Sequence, residues 1–317
     1  MRIYGPVPSR RFGLSLGVDV VPRKTCTYDC IYCQVGPTDR LSDALERFYP
    51  VDEILEDVAE ALDEGPTPDV VTLAGSGEPT LYSELGALID GLHALAKVPV
   101  LLITNGSLLW REGVAAAARK AEILAPSLDA GDPETFARIN RPTAGVPFER
   151  MVEGLRSALA AHPGEVRLEV MLVRGVNDGE ESLRAIERIT RTLRFDRLDL
   201  NTPVRPPVPE RGALPCDEET LARAVAIFGP KAVPIGTFAK KSGAIRAPRS
   251  FDDFDKDIRE MILRRPCTVE DIAASLGAPK ESVAASLSRL DDAGLAERRD
   301  GQAGAYWAAP KKQKPLV

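Results

Sequence analysis

The sequence predicts an α/β fold: a partial (β/α)6 barrel, open or incomplete, with a small helical domain behind it. Three observations lead there. The chain has 317 residues, 44 % of them apolar, enough to bury a sizeable core. Short apolar runs alternate with amphipathic segments, the order expected when parallel strands are joined by crossover helices. From about Phe251 the texture changes to short helical segments and then a hairpin pattern. The division read from these features is 1–250 for the barrel, 251–309 for a helical domain and 310–317 for a basic tail.

The candidate strands are "SLGVDVV" (15–21), "VVTLA" (70–74), "VLLI" (100–103), "EILAPSL" (122–128), "VRLEVMLV" (166–173), "RLDLNT" (197–202) and "AVPIGT" (232–237). Between them, Ile54, Leu55, Val58 and Leu62 recur at helical spacing, as do Leu81, Leu85, Leu88, Leu92 and Leu95, then Leu183, Ile186, Ile189 and Leu193. Each stripe is suited to cover one face of a sheet. The proline-rich stretch "NTPVRPPVPERGALP" (201–215) cannot continue as a helix. It leaves a strand end, where such barrels place their chemistry, and is either a functional loop or a surface connection.

In the C-terminal domain, Phe254, Ile258, Met261 and Ile262 line one side of a first helix. Thr268 and Asp271 have the spacing of a capping box opening a second, and Gly277 closes it. A third helix runs to Gly294, and Asp300-Gly301 marks a hairpin. This order predicts a winged helix-turn-helix in which the third helix would read nucleic acid. Charge argues against that use. Residues 251–317 carry 11 Lys and Arg against 12 Asp and Glu, and the third helix offers only Lys280 and Arg289. A duplex-binding module needs a basic face, which leaves Arg298, Arg299, Lys311, Lys312 and Lys314 as a local patch. Docking of a protein, peptide or RNA substrate is expected ahead of duplex DNA.

No stretch approaches the ~18 apolar residues of a membrane span, and "MRIYGPVPSRR" lacks the apolar run of a signal peptide. A cytoplasmic protein without a membrane partner is therefore expected. The net charge of −6 argues against general polyanion binding. Five cysteines, an odd number unevenly spread, fit a reducing compartment and metal ligation better than a disulfide framework.

Three of them, Cys26, Cys30 and Cys33, fall within "KTCTYDCIYC" (24–33). The C-x3-C-x2-C spacing sets three thiolates on one short loop, close enough for three corners of a cubane iron–sulfur cluster. One iron then lacks a protein ligand. A ferredoxin-like carrier or a structural zinc would bring a fourth Cys or His nearby, and none is local. Cys216 and Cys267 have no spacing that demands ligation, while His93 lies in an amphipathic stripe and His162 precedes a Pro-Gly turn.

With Tyr32 just before the last Cys, this loop resembles the signature of radical S-adenosylmethionine (SAM) enzymes. The resemblance implies a partial barrel, a [4Fe-4S] cluster on Cys26, Cys30 and Cys33, and SAM chelating the open iron. Reduction by a flavodoxin or ferredoxin would then cleave SAM to a 5′-deoxyadenosyl radical that abstracts hydrogen from a substrate. Tyr32 would lie against the adenine. "GSGEP", Gly75, Ser76, Gly77, Glu78 and Pro79, is similar to the family's glycine-glycine-glutamate-proline motif. There Gly75 and Gly77 would let the backbone approach SAM and Glu78 would offer acceptors to its ammonium. "LLITNGSLL" and "PSLDAGDPETFARI" look like strand ends of radical enzymes such as the GTP-cyclising one of molybdenum-cofactor synthesis. They imply cofactor contacts from Ser127 and, more weakly, Asp129, Thr104 and Asn105. Asp132 and Asn177 read as helix caps.

"YGPVPSRRFGLSLGVDVVPRKTCTYDCIYCQVGPT" (4–38) with "NTPVRPP" (201–207) resembles a prokaryotic branch related to tRNA wybutosine-synthesising enzymes, some with a C-terminal helical extension. A second set of cluster cysteines is missing, which argues against wybutosine synthesis itself. Asn201, Thr202 and Arg205, with Arg10, Arg11 and Lys24 beside them, are the candidates for a substrate pocket, and Arg205 suggests an anionic group. The substrate is expected to be a peptide or protein, a nucleoside or tRNA, or a small anionic metabolite. The alternative is a SAM-responsive iron–sulfur regulator that binds DNA through its C-terminal domain.

Overall fold

The computed structural model describes residues 2–9, 11–65, 67–203, 212–235, 251–264, 266–276, 278–301 and 304–310. The chain opens with β1 (Ile3–Ser9), β2 (Gly13–Val18), β3 (Thr25–Cys26), β4 (Arg40–Leu41), α1 (Val51–Glu64), β5 (Val70–Leu73) and α2 (Leu85–Leu95). It continues through β6 (Val100–Thr104), α3 (Glu112–Ala118), β7 (Ile123–Pro126), α4 (Pro133–Ile139), α5 (Phe148–Ala161) and β8 (Glu165–Met171). Then come α6 (Glu180–Thr190), β9 (Arg197–Asn201), α7 (Glu218–Phe228) and β10 (Ala232–Pro234). The C-terminal elements are α8 (Phe251–Arg264), α9 (Val269–Leu276), α10 (Lys280–Asp292), β11 (Glu297–Gly301) and β12 (Gly304–Ala308).

One sheet has the order β1-β2-β5-β6-β7-β8-β9-β10. From β2 to β10 every neighbouring pair is parallel, so the seven expected strands are present in sequence order. The extra strand, β1, pairs antiparallel with β2. Its prolines argue against a strand in the sequence but are tolerated here because β1 is an edge, where a missing N–H breaks no ladder.

The sheet's curvature follows from one contact. Arg11, in the β1–β2 turn, forms an ion pair with Glu169 on β8, four strands away from β2 in the sheet order. Four strand spacings in a flat sheet span ~19 Å, so the sheet curls. The inner face holds Val70, Leu101 and Ala125, with Phe12, Ile103 and Ile123 against them. The alternate positions Val71, Leu73, Val100, Leu102 and Leu124 join the helices in the main core, as the period of two along a strand requires. Arg167 stacks over the Phe12 ring at 4.3 Å and lies 3.1 Å from Asp199 Oδ2. Phe12 and these charges therefore occupy the interior of the barrel.

Each helix earns its place by an apolar stripe. Ile54 and Val58 of α1 and Leu88, Ile89 and Leu92 of α2 are fully buried against the sheet, where truncation of such a side chain to Ala typically costs ~2–5 kcal/mol. Asp132 caps α4, accepting from Thr135 N at 2.8 Å. The C-terminal elements have their own apolar cluster, built on Ile258, Ile262, Ile272, Val283, Leu287 and Leu290 with Cys267 among them. Thr268 and Asp271 bond reciprocally, Asp271 N to Thr268 Oγ1 at 3.0 Å and Thr268 N to Asp271 Oδ2 at 3.3 Å. The unit packs through α9 beside β1. Gly277 and the tail lysines lie outside the described residues.

Candidate active site

The carboxyl ends of β5, β6 and β7 converge on the loop that carries Cys26, Cys30 and Cys33. Thr27 and Ser107 share a buried 2.8 Å hydroxyl bond that ties this loop to the end of β6. The loop from β5 is stitched to it as well: Lys24 N donates to Ser76 O at 2.9 Å and Glu78 N to Thr25 O at 3.1 Å. Gly77 is required by that closeness, since a Cβ there would sit 2.0 Å from Thr25 O. At Gly75 a Cβ would meet the Asp19 carboxylate at 2.1 Å. Both glycines are thus required by packing within the chain. Ser76 bonds Asp19 through both N and Oγ.

Glu78 is 2 % exposed. Its Oε1 accepts from Thr80 N (3.0 Å), Thr80 Oγ1 (2.6 Å) and Thr104 Oγ1 (2.6 Å), and its Oε2 from Asn105 N (2.8 Å). Burial pushes its carboxyl upward while these bonds from Thr104, Thr80 and Asn105 oppose the shift. Glu78 thus braces the β5 loop against the β6 end. Pro79 begins the buried turn that follows.

Asp129, at the end of β7, accepts from Met171 N at 2.9 Å, from Asn140 Nδ2 at 2.7 Å and from the Tyr32 hydroxyl. Burial lifts it to about 6 against those donors. Tyr32 is therefore anchored through its hydroxyl to Asp129. Ser127 is half-buried, and among the described residues its hydroxyl makes no hydrogen bond. Asn177 is more than a helix cap: its amide bonds Asp129 O, Met171 O and Val173 N, joining the ends of β7 and β8.

Each cysteine of the loop accepts a side-chain N–H from a different place. Asn105 Nδ2 lies 3.6 Å from Cys26 Sγ, Asn140 Nδ2 3.5 Å from Cys30 Sγ, and Lys24 Nζ 3.4 Å from Cys33 Sγ. Burial, then the nearby Glu78 carboxylate, pushes the Cys26 thiol up to about 12. Burial and Asp129 push Cys30 up too.

A family model described as "Radical SAM superfamily" matches residues 20–186, the stretch holding this loop and the ends of β5 to β8. The chain belongs to the radical SAM superfamily. It is 37 % identical over 294 residues to a protein of Brachyspira hyodysenteriae named "GTPase Obg", covering 92 % of this chain and 43 % of that one. The chain thus spans less than half of that relative. A "UPF0026 protein" of Methanocaldococcus jannaschii is 34 % identical over 227 residues, 71 % of this chain and 70 % of the other. Among solved structures, a radical SAM methyltransferase from Sphaerobacter thermophilus aligns with a TM-score of 0.51 at 20 % identity over 69 % of this chain and 65 % of that one, a likeness of fold.

The donor set of this radical SAM chain fits the cluster. Three thiols lie on one loop, each with its own N–H donor, and a cubane takes one iron per thiolate. Thiols with raised pKa values also need a cation to hold them ionised. The remaining cysteines are elsewhere. Cys216 N donates to Thr202 Oγ1 at 2.8 Å, and burial raises the Cys216 thiol to about 11. Cys267 pairs with Trp307 in the C-terminal unit.

The substrate candidates divide. Asn201 and Thr202 are buried at the end of β9, and the Thr202 hydroxyl is engaged with Leu172 O and Cys216 N. Arg205 and Arg10 lie outside the described residues. Arg11 lies in the turn before β2 and pairs inside the barrel with Glu169 on β8 and Asp199 on β9. Lys24 is corrected, being 3 % exposed and directed at Cys33. Asn140 was missed altogether. Nothing in its spacing marks it, because its partner Cys30 is 110 residues away.

Proposed function

We propose that Cys26, Cys30 and Cys33 hold the cluster, that SAM lies along the ends of β5 to β7, and that hydrogen is abstracted from a substrate seated toward β8 and β9. The observation that carries this reading is the placement of three thiols on one loop with Cys216 and Cys267 in other parts of the fold, which leaves one iron for SAM. When bound and reduced, the pair supplies a 5′-deoxyadenosyl radical. The chain's own part is positioning. The backbone of Gly75, Ser76 and Gly77, fixed by Asp19 and by the Glu78 brace to Thr104 and Asn105, forms one wall for SAM. Ser127, whose hydroxyl makes no hydrogen bond among the described residues, would contribute a further contact, and Asp129 holds Tyr32 in place through its hydroxyl. Asn201, with Thr202 behind it, borders the substrate side. An electron donor of the flavodoxin or ferredoxin class delivers the electron. The substrate belongs to the peptide, nucleoside or small-anion classes.

The direct test is anaerobic reconstitution with iron and sulfide, reduction with dithionite, and chromatography of the products. Reduced protein with four irons should release 5′-deoxyadenosine and methionine from SAM. Loaded, reduced protein that leaves SAM intact would sink the reading.

The C-terminal unit is assigned to substrate docking or cover rather than to gene regulation. Both cations of α10 are already engaged, Lys280 with Glu270 at 2.7 Å and Arg289 with Asp255 at 2.5 Å, and no helix among the described residues is long and apolar enough to cross a membrane. The full chain should therefore bind duplex DNA weakly and without sequence preference, with a shallow salt dependence in an anisotropy titration. Tight, sequence-selective binding at physiological salt would restore the regulator.

A further inference from the structure

Lys24 stands out among the buried charges. It is 3 % exposed, and a buried ammonium costs several kcal/mol unless an opposite charge or good hydrogen bonds offset it. Arg167, also buried, has Asp199. For Lys24 no carboxylate among the described residues lies within ion-pair distance, and its one side-chain partner is Cys33 Sγ at 3.4 Å. The backbone is committed to the same end. Lys24 has φ = +61°, a left-handed conformation that costs a non-glycine residue ~1–2 kcal/mol. It is held there by Lys24 N to Ser76 O (2.9 Å) and by Asp39 N and Arg40 N to Lys24 O (3.1 and 3.0 Å). A side chain buried at such cost beside a neutral thiol has no compensation; beside a thiolate of an anionic cluster it has. The two other donors differ. Asn105 and Asn140 are neutral and have oxygen partners, Thr27 at 2.7 Å and Asp129 at 2.7 Å.

We infer that Lys24 is a potential-setting residue: its ammonium donates a charge-assisted hydrogen bond to the Cys33 thiolate and makes the cluster easier to reduce. This rests on the ligation proposed above. Hydrogen bonds and charge at the sulfurs are among the terms that set an iron–sulfur potential. The added electron increases the negative charge near Nζ, so the reduced state gains more from the cation than the oxidised one.

The test is an electron paramagnetic resonance redox titration of the full-length, reconstituted protein and of Lys24→Met, Lys24→Gln and Lys24→Arg, with iron content measured on each. In Lys24→Met and Lys24→Gln the ratio of reduced to oxidised cluster at a fixed poise should fall about tenfold, a shift of about 59 mV to more negative potential for one electron. Lys24→Arg should stay within about twofold of the unaltered protein. Loss of the cluster from Lys24→Met and Lys24→Gln but not from Lys24→Arg also supports a charge required by the cluster. Unchanged potentials in loaded Lys24→Met, or loss of the cluster from all three variants, overturns the inference. A wild-type protein that never holds four irons fails the ligation reading instead, so the two failures are told apart.

Discussion

Replacing any one of Cys26, Cys30 or Cys33 by Ala should abolish 5′-deoxyadenosine release, a fall of at least about a hundredfold in a reaction whose electron passes through the cluster. The reason is the distribution of thiols. Each of the three accepts its own N–H donor, from Asn105, Asn140 or Lys24, and no other cysteine stands close by to take over. Iron content after reconstitution should drop with activity, while far-ultraviolet circular dichroism stays near that of the unaltered protein, because the loop is also held by Thr27, Ser107 and the Lys24 backbone. Cys216→Ala and Cys267→Ala are the matching controls, since Cys216 lies by Thr202 at the end of β9 and Cys267 in the C-terminal cluster. Their iron content and SAM cleavage should be unchanged. Full activity in any of the three loop variants would remove the proposed ligand set.

Glu78→Ala should do two things at once. Four donors lose their acceptor: Thr80 N, Thr80 Oγ1, Thr104 Oγ1 and Asn105 N. With buried hydrogen bonds worth ~1 kcal/mol each net, and more when one partner is charged, the expected cost is about 4 kcal/mol. That lowers the melting temperature by ~8–16 °C in a domain of this size. SAM affinity should weaken about tenfold through the loosened wall rather than through a lost direct contact. Glu78→Gln separates the two effects, because its amide keeps one acceptor oxygen but turns an NH2 toward donors. It should lose part of the stability and part of the affinity. Unaltered melting and affinity in Glu78→Ala would refute the brace.

Much of this was legible in the sequence. The strand read at 70–74 is Val70–Leu73, and that at 100–103 is Val100–Thr104, because alternating burial and apolar runs are local signals. The cysteine loop and the capping pairs Asp132–Thr135 and Thr268–Asp271 are local too. What escaped depends on chain segments far apart. Tyr32 meets Asp129 across 97 residues, and Asn140 reaches Cys30 across 110; no spacing rule links such pairs. Glu78 carries its acid in a motif, yet whether that acid points at a ligand or at Thr104 is decided by the strand order. β1 was hidden by Pro6 and Pro8, whose penalty vanishes at an edge.

Phe12 and the Arg11, Arg167, Glu169 and Asp199 charges inside the barrel have a kinetic corollary. They occupy the space along the barrel axis, so on the function proposed above SAM and substrate are both expected to enter over the carboxyl ends of the strands. The one seated deeper is then expected to bind first and leave last.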